Sequence, residues 1–226
     1  MSENSTEANL DLGQLILIDK PLRWTSFDVV KKLKFAGKFK KIGHAGTLDP
    51  LATGLLILCT GKMTKQIDSY QAQEKEYSGK FVLGKTTPSV DLETDFDAEY
   101  DVSAITETIL NEAKSKLTGV LQQYPPIFSA VKQEGKRLYE LARKGQEVAI
   151  RPREVNVTSF EINSENFPEI RFNIVCSKGT YIRSLVRDFG ELCNSGAYLS
   201  ELRRERIGSF DVKNALTIEQ FIEELN

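Results

Sequence analysis

The chain has 226 residues, of which 40% are hydrophobic and 27% are charged, and this ordinary composition argues against disorder or a fibrous repeat. No stretch approaches the roughly 20 consecutive apolar residues of a membrane span. The polar N-terminus lacks the basic start and apolar run of a secretory signal. Three cysteines and one histidine disfavour a disulfide framework and a zinc site. We therefore expect a cytoplasmic protein without a metal.

The charged residues are unevenly distributed, although the net charge is only −2. Residues 20–41 carry eight basic side chains against Asp28 alone, and residues 132–153 carry seven against three glutamates. Residues 91–112 carry eight acidic side chains and no basic one. A charge run is often a solvated helix surface, but clustered Lys and Arg also form the basic face that a phosphate backbone requires. Both interpretations stay open at this point.

The first predicted elements are a lead-in, a strand and a helix. Residues 1–13 predict a flexible lead-in. Residues 15–18 are an apolar run stopped by Asp-Lys-Pro, which predicts a strand entering a loop. Thr25 or Ser26 predicts the N-cap of a helix, and its apolar face is expected to hold Phe27, Val30 and Leu33.

The middle of the chain predicts loops around one strand. Residues 43–54 contain three glycines and a proline, which predict a structured loop, and the apolar run 55–58 follows it. Residues 77–83 place apolar side chains at alternate positions, as a half-buried strand does. The acidic stretch 88–101 predicts an exposed loop.

The second half predicts helices with one alternating strand. An amphipathic helix with start signal Ser103 and stop signal Gly119 is expected, with apolar positions Ile105, Ile109, Ala113 and Leu117. Further helices are predicted over 137–143, 182–192 and 218–225, and a strand over 170–176. Strict βαβ alternation is lacking. The pattern therefore predicts an α+β fold, with a mixed, largely antiparallel central sheet and flanking helices.

Several enzyme classes lose support because their motifs are missing. The sequence contains neither a G-x-x-x-x-G-K-[ST] phosphate loop nor a G-x-G-x-x-G dinucleotide motif. It has no G-x-S-x-G elbow, and a single histidine leaves few routes to a Ser-His-Asp triad. The candidates that remain are carboxylates, tyrosines and arginines.

The most unusual carboxylate is Asp49, in the middle of the glycine-punctuated segment 43–54. Its neighbours Leu48, Pro50 and Leu51 are apolar, so a partly desolvated carboxylate there must find a cationic or hydrogen-bonding partner. A turn aspartate is the structural alternative, because Asp-Pro is a common turn pair.

A second candidate segment, 177–183, lies at a strand-to-helix junction and contains Tyr181 and Arg183. A buried carboxylate such as Asp49 needs a partner of this kind, and Arg183 could pair with it in bidentate fashion. A solvated arginine on a helix surface is the alternative. Tyr77 is a third candidate, although most strand tyrosines are core residues.

Five segments together resemble the motifs of TruB-type tRNA pseudouridine synthases. In order they are LIDKPLRWTSFDVV (17–30), GHAGTLDPLATGLL (43–56), KEYSGKFVLG (75–84), YPPIFSAVKQEGKRLYELARKG (124–145) and CSKGTYIRSLVRDFG (176–190). The match extends over about residues 14–210. Five long motifs in family order are far more specific than any one of them.

The resemblance implies the pseudouridine-synthase type of fold and isomerisation of uridine 55 in the T-loop of tRNA, without cofactor or metal. Asp49 matches the essential nucleophile, which must be ionised and unprotonated. It either adds to the sugar or abstracts a sugar proton to give a glycal. Arg183 matches the arginine that pairs with it, and Tyr77 the tyrosine that stacks on the flipped uracil and is the candidate base at C5.

The resemblance also implies a substrate-binding set: His44, Tyr181, Leu202, Lys20 and Pro21. His44 matches the residue that helps to hold the splayed T-loop, and Tyr181 and Leu202 match substrate contacts. Lys20 and Pro21 match a pair that buttresses the active site. A base in a T-loop is reached only after it is flipped out, and the basic segments 31–41 and 132–153 would contact phosphates.

The implied organisation is one catalytic domain over 14–226, with an RNA-gripping insertion at about 122–150. Many relatives continue into a C-terminal PUA-type domain, and none is expected here. Arg23 departs from the family pattern, because it stands where glycine is usual. The implied partner is the tRNA T-arm, bound by a monomer that needs neither a membrane nor a protein partner.

Two other functions are weighed against this one. A guide-RNA-dependent pseudouridine synthase shares the G-T-L-D-P segment, but residues 122–150 count against it because guided enzymes look reduced there. A non-catalytic tRNA-binding or tRNA-folding protein would need only the basic stretches. The intact set Asp49, Tyr77 and Arg183 argues against that alternative.

Overall fold

A computed structural model describes residues 13–126, 132–133, 136–137 and 151–225. Within these ranges the helices are α1 (Ser26–Ala36), α2 (Ile67–Ala72), α3 (Glu107–Lys116), α4 (Ile182–Leu192) and α5 (Ile218–Glu224), with 3₁₀ turns at Gly61–Gln66 and Val212–Asn214. The strands are β1 (Leu15–Lys20), β2 (Ile42–His44), β3 (Ala52–Thr60), β4 (Lys75–Leu83), β5 (Lys85–Thr86), β6 (Ala98–Glu99), β7 (Gly119–Gln123), β8 (Lys132–Gln133), β9 (Lys136–Arg137), β10 (Arg153–Asn166), β11 (Glu169–Cys176), β12 (Ala197–Ile207) and β13 (Phe210–Asp211). No helix within the described ranges is long and apolar enough to cross a membrane.

The chain divides into two compact units. The first comprises the described residues of Met1–Tyr77 and Leu202–Asn226, and the second is Ser78–Glu201 with the same restriction. The expectation of one domain over 14–226 stays a prediction.

The first unit is built on β3, which pairs antiparallel with β1 and β2 and parallel with β12. One face of these strands packs against α1 and α5, and the resulting core includes Ile18, Val29, Leu33, Leu58 and Phe221. The helix α1 begins where expected, because the Thr25 hydroxyl accepts from the N–H of Asp28 and the Asp28 carboxylate accepts from the N–H of Thr25.

The second unit contains the antiparallel strands β7, β10 and β11, with β10 in the middle. Residues of β11 alternate between buried and more exposed positions, so Ile170, Phe172, Ile174 and Cys176 are buried. Phe81, Phe160 and Phe189 pack at ring-centroid distances of 4.9 and 5.9 Å. The predicted α+β class with a mixed, largely antiparallel sheet is confirmed.

Four local predictions need correction. Phe27 is exposed rather than on the core face of α1, where Val29 takes its place. The N-cap of α3 is Thr106 rather than Ser103, and its buried residues include Leu110. The loop over 43–54 is shorter than predicted, because β2 and β3 enter it from both ends. The stretch 88–101 is not uniformly exposed, because it buries Ser89 and Asp91.

Other predictions fall outside the described residues. The helix over 137–143 does so apart from Arg137, which ends β9. Most of the insertion at about 122–150 and of the lead-in 1–13 does so as well. The strands β7, β10 and β12 were not predicted, and both β10 and β12 contain several charged residues that obscure an alternating apolar pattern.

Candidate active site

Asp49 lies in the loop between β2 and β3, on a backbone that buried side chains hold in place. The buried Ser26 hydroxyl accepts from the N–H of Leu48 at 2.9 Å and donates to the Leu48 carbonyl at 3.3 Å. The N–H of Ala52 donates to the carbonyl of Asp49 at 3.0 Å. Asp49 itself is half-buried. The loop therefore presents a carboxylate that a substrate can reach, on a fixed backbone.

Lys20 is completely buried beside this loop. Its ammonium donates to the carbonyls of Pro21, Trp24 and Pro50 at 2.9, 2.5 and 3.5 Å. Burial lowers the pKa of Lys20 to about 8, against the opposing effect of the Asp49 charge. The position predicted to buttress the site thus holds a cation that joins β1 to the Asp49 loop.

Arg204 is a second buried cation, and the sequence analysis missed it. Its Nε donates to the carbonyl of Leu55 at 2.7 Å and its Nη2 to the carbonyl of Gly46 at 3.1 Å, so one guanidinium joins both ends of the loop. The parallel register sets Arg204 opposite Gly54, where φ is +102° and a Cβ would lie 2.3 Å from the Arg204 carbonyl oxygen. Only glycine permits this approach.

His44 ends β2, close to the same guanidinium. Desolvation lowers the pKa of His44, and the charge of Arg204 lowers it further, so the ring is neutral near pH 7. Its Nδ1 is buried without a hydrogen-bond partner among the described residues. Leu202 lies opposite Ala52 in the β12–β3 register and is half-buried. Tyr77 is a buried residue of β4.

Arg183 lies in the first turn of α4 in the second unit, and it is buried rather than on a solvated helix surface. Its Nη1 donates to the carbonyl of Ser89 at 3.1 Å, and its Nε lies 3.7 Å from Oδ2 of Asp91. Both side chains of this ion pair are at most 6% exposed. Asp91 is therefore the buried partner of a candidate site residue, and the sequence did not predict it.

The backbone around Asp91 is strained and is held by several hydrogen bonds. Val90 has φ +62°, which is a genuine outlier for a β-branched residue. The carbonyl of Asp91 accepts from the hydroxyls of Thr87 and Ser89 at 2.6 and 3.2 Å, and the N–H of Leu199 donates to the Val90 carbonyl at 2.9 Å. These hydrogen bonds therefore hold the chain in a turn whose backbone conformation is unfavourable. Strained turns of this kind occur at functional sites.

Tyr181 is the N-cap residue of α4. Its N–H donates to Oε1 of Gln123 at 2.8 Å and its carbonyl accepts from Nε2 of Gln123 at 3.1 Å. The guanidinium of Arg153 lies over the Tyr181 ring, 5.6 Å from its centroid. Tyr181 therefore contacts β7 through its backbone hydrogen bonds and β10 through its ring.

The predicted site residues divide between the two units. The first unit contains Asp49, Tyr77, His44, Lys20, Pro21 and Leu202, and the second contains Arg183 and Tyr181. The pairing of Arg183 with Asp49 stays a prediction. Among the described residues no group of three or more His, Cys, Asp or Glu side chains is arranged to hold a metal ion.

The missed residues carried weak sequence signals. Asp91 is the first acid of a long acidic stretch and follows the run Thr-Thr-Pro-Ser-Val, whose composition is typical of a loop, so its burial had little local signal. Arg204 stands two residues after Leu202 in a segment dense with charges of both signs, so its burial had no local signal.

Comparison with known proteins gives consistent results. A family model described as TruB family pseudouridylate synthase (N terminal domain) matches residues 32–182. The tRNA pseudouridine synthase B of Flavobacterium johnsoniae is 53% identical, over 94% of this chain and 96% of the relative. The tRNA pseudouridine synthase B of Phocaeicola vulgatus is 47% identical, over 96% of this chain and 95% of the relative.

Solved structures show the same fold. A chain in the crystal structure of a Cbf5-Nop10-Gar1 complex has a TM-score of 0.74 and 28% identity. It matches 96% of this chain, which spans 55% of that longer chain. A structure of an H/ACA RNP bound to a substrate RNA containing 2′-deoxyuridine gives a TM-score of 0.70 at 25% identity.

Proposed function

Because the chain belongs to the TruB family of pseudouridylate synthases and is a tRNA pseudouridine synthase, we propose that it converts uridine 55 in the T-loop of tRNA to pseudouridine. The observation that carries the proposal is the half-buried carboxylate of Asp49 on a loop held by Ser26, Lys20 and Arg204. A nucleophile needs a fixed position and an ionised state, and this loop supplies the first directly.

The proposed reaction breaks the N1–C1′ bond of the uridine, turns the base and joins C1′ to C5. The proton lost from C5 is balanced by the one gained at N1, so the isomerisation needs no oxidant or reductant. Asp49 acts either by adding to C1′ and leaving again, or by taking a sugar proton and returning it. Both routes start from an ionised carboxylate.

Two cations are proposed to keep Asp49 ionised. Lys20 is proposed as the first, because the charge of Asp49 acts on Lys20 and raises its pKa against the effect of burial. Arg183 is proposed as the second. A guanidinium has five N–H donors, so Arg183 can serve Asp91 and a second carboxylate at once. Asp91 then acts as a positioning residue that fixes the orientation of Arg183.

The remaining residues are proposed to bind the flipped nucleotide and the loop around it. Tyr77 stacks on the uracil and receives the C5 proton, while His44, Tyr181 and Leu202 contact the substrate. A neutral His44 ring can replace stacking that the opened T-loop loses. The basic segments 31–41 and 132–153 contact phosphates, so binding weakens as salt rises.

A guide-RNA-dependent synthase is the second candidate, because the solved structures with this fold include a Cbf5-Nop10-Gar1 complex and an H/ACA RNP. The higher identity to tRNA pseudouridine synthases B favours action on tRNA without a guide. We propose a monomer that acts alone in the cytoplasm. Its three cysteines are buried free thiols, which suits a reducing compartment.

The test is to incubate the purified protein with an unmodified tRNA transcript, without guide RNA or another protein, and to map pseudouridine by primer extension after carbodiimide treatment. The proposal predicts one modified position, uridine 55, and the same product in an isolated T-arm hairpin. A transcript with cytidine at position 55 is the matched control. Modification elsewhere, or only after a guide RNA is added, would overturn the proposal.

A further inference from the structure

A groove of about 1080 Å³ follows α1 in the first unit, and the proposed function gives a role only to its lysines, as phosphate contacts. Five basic residues line it, whereas its one acidic lining residue is Asp28. The basic set is Arg23, Lys31, Lys32, Lys34 and Lys38. Such a concentration of positive charge in a protein of net charge −2 favours a polyanion as its occupant.

Phe35 lies in this groove and is 88% exposed. The core face of α1 is formed by Val29, Val30 and Leu33, so Phe35 contributes little to packing. Lys31 precedes it by one helical turn and Lys38 follows it by three residues. An uncovered aromatic ring between cations suits a ligand that is both planar and anionic, which describes a nucleotide in a single strand.

Arg23 connects the groove to the Asp49 loop. It has φ +67°, a left-handed conformation that is unfavourable for a non-glycine residue. The strained residue is exposed, and its N–H donates to the carbonyl of Pro50 at 2.8 Å. One end of the groove therefore adjoins the residue that follows Asp49. An RNA strand with its target base at Asp49 has this groove beside it.

We propose that the groove binds a second, unpaired nucleotide of the RNA whose target uridine is held at Asp49. The base stacks on Phe35, and Arg23, Lys31 and Lys34 contact the flanking phosphates. The inference rests on the proposed function, because it takes that RNA as its ligand. An anionic membrane or an acidic protein would also meet positive charge here, but only the RNA accounts for the connection to the Asp49 loop.

The test compares two exposed phenylalanines on one helix. Phe27 is 69% exposed and lies outside the groove lining within the described residues, so Phe27→Ala is a matched control for Phe35→Ala. Both are made in the Asp49→Asn background, and the affinity for a T-arm hairpin and a full tRNA transcript is measured by fluorescence anisotropy. We expect Phe35→Ala to weaken binding about tenfold and Phe27→Ala less than twofold.

A photocrosslink locates the base directly. With 5-iodouridine placed at each loop position of the hairpin in turn, one position should crosslink to Phe35, as identified by mass spectrometry of the peptide. The crosslink should persist in Phe27→Ala and vanish in Phe35→Ala. In otherwise wild-type protein, Phe35→Ala should raise the KM for tRNA and leave kcat unchanged, because the groove binds RNA without touching the reacting atoms.

The charges are tested through the salt dependence of binding. Replacing Lys31 and Lys34 by Glu should reduce the slope of log K against log salt by about two. Lys116→Glu, on the exposed side of α3, should leave the slope unchanged. Equal slopes for the two variants would overturn the phosphate contacts.

Three further results would overturn the inference while leaving the proposed function intact, provided that wild-type protein still modifies uridine 55. They are equal RNA affinities of the two phenylalanine variants, crosslinks that avoid Phe35 at every loop position, and a Phe35→Ala defect confined to vesicles of anionic lipid. Absence of modification by wild-type protein would instead defeat the proposed function.

Discussion

The two units bury their cations in different ways. In the first unit, Lys20 and Arg204 are satisfied by backbone carbonyls, which include those of Pro50 and Gly46 in the Asp49 loop. In the second unit, Arg183 donates to the carbonyl of Ser89 and also forms an ion pair with a carboxylate, Asp91. Carbonyl acceptors fix a backbone, whereas a buried ion pair fixes the orientation of a side chain.

This difference separates two tasks that a reactive carboxylate requires. The cations of the first unit fix the backbone of the Asp49 loop. The ion pair of the second unit orients one guanidinium, that of Arg183, which the proposed function assigns to a reactive carboxylate. The comparison predicts that substitutions in the two regions will fail differently.

The largest expected effect among these substitutions is that of Arg183→Ala on turnover. We expect kcat to fall by about 10³-fold, comparable to the removal of a preorganised charge-stabilising donor, with less than a threefold change in tRNA affinity. Steady-state kinetics and a binding assay measure the two quantities. Arg203→Ala, which removes a half-exposed partner of Asp19, is the control and should leave both nearly unchanged. Equal losses of turnover and affinity would contradict the role of Arg183.

Asp91→Asn should show that a buried ion pair contributes more to the free energy of unfolding than a partly exposed one does. The substitution removes the negative charge 3.7 Å from the buried Arg183 cation, and we expect the free energy of unfolding to fall by about 3 kcal/mol. Asp19→Asn breaks the pair with Arg203, which is about one-third exposed, and should cost no more than about 1 kcal/mol. Urea unfolding of both variants gives the comparison.

Turnover tests the positioning role of Asp91 separately from stability. Under conditions in which both variants are fully folded, kcat should fall in Asp91→Asn and stay unchanged in Asp19→Asn. A similar destabilisation of the two variants, or full turnover in folded Asp91→Asn, would remove the distinction between the two units.

The smallest expected effect is a pH dependence that originates at Lys20. Because the folded-state pKa is lowered to about 8, Lys20 loses its proton as pH rises through 8, and kcat should decline there. The unfolded chain keeps this proton up to about pH 10.5. Between these two pH values the unfolded chain therefore binds more protons than the folded chain. The contribution of Lys20 to the free energy of unfolding consequently rises with pH in this range.

Lys20→Arg is the variant that tests this assignment, since a guanidinium stays charged throughout the range. In a folded Lys20→Arg protein, checked by circular dichroism, the decline of kcat above pH 8 should disappear. Lys20→Met should remove it as well, because no titrating group remains. A decline that persists in both variants would place its origin elsewhere.

Much of the fold was predictable because burial follows local periodicity. The alternation in β11 was predicted correctly from the sequence, and the N-cap of α1 was predicted at Thr25 or Ser26, of which the structure has Thr25. The strand β12 did not, because it holds Arg203, Arg204 and Arg206 and a buried arginine looks locally like an exposed one. Only the parallel pairing with β3, established by residues about 150 positions away, decides which of them is buried.

The site divides in the same way. Asp49 and Arg183 stand in segments that match family motifs, so their candidacy needed only the sequence. Asp91 lies 92 residues before Arg183 along the chain, in a stretch where acids usually remain solvated, and its role depends on a tertiary contact. The strain at Val90 was likewise invisible, because no residue type there requires a positive φ.

The central claim is that Asp49 is the reactive carboxylate, and tritium release from tRNA transcript labelled with [5-³H]uridine tests it most directly. Wild-type protein should release tritium in proportion to the uridine converted, and Asp49→Asn should be slower by at least roughly 10⁴-fold while it binds the transcript with the same affinity. Release by Asp49→Asn at the wild-type rate would contradict the account, because the remaining residues would then suffice for the chemistry.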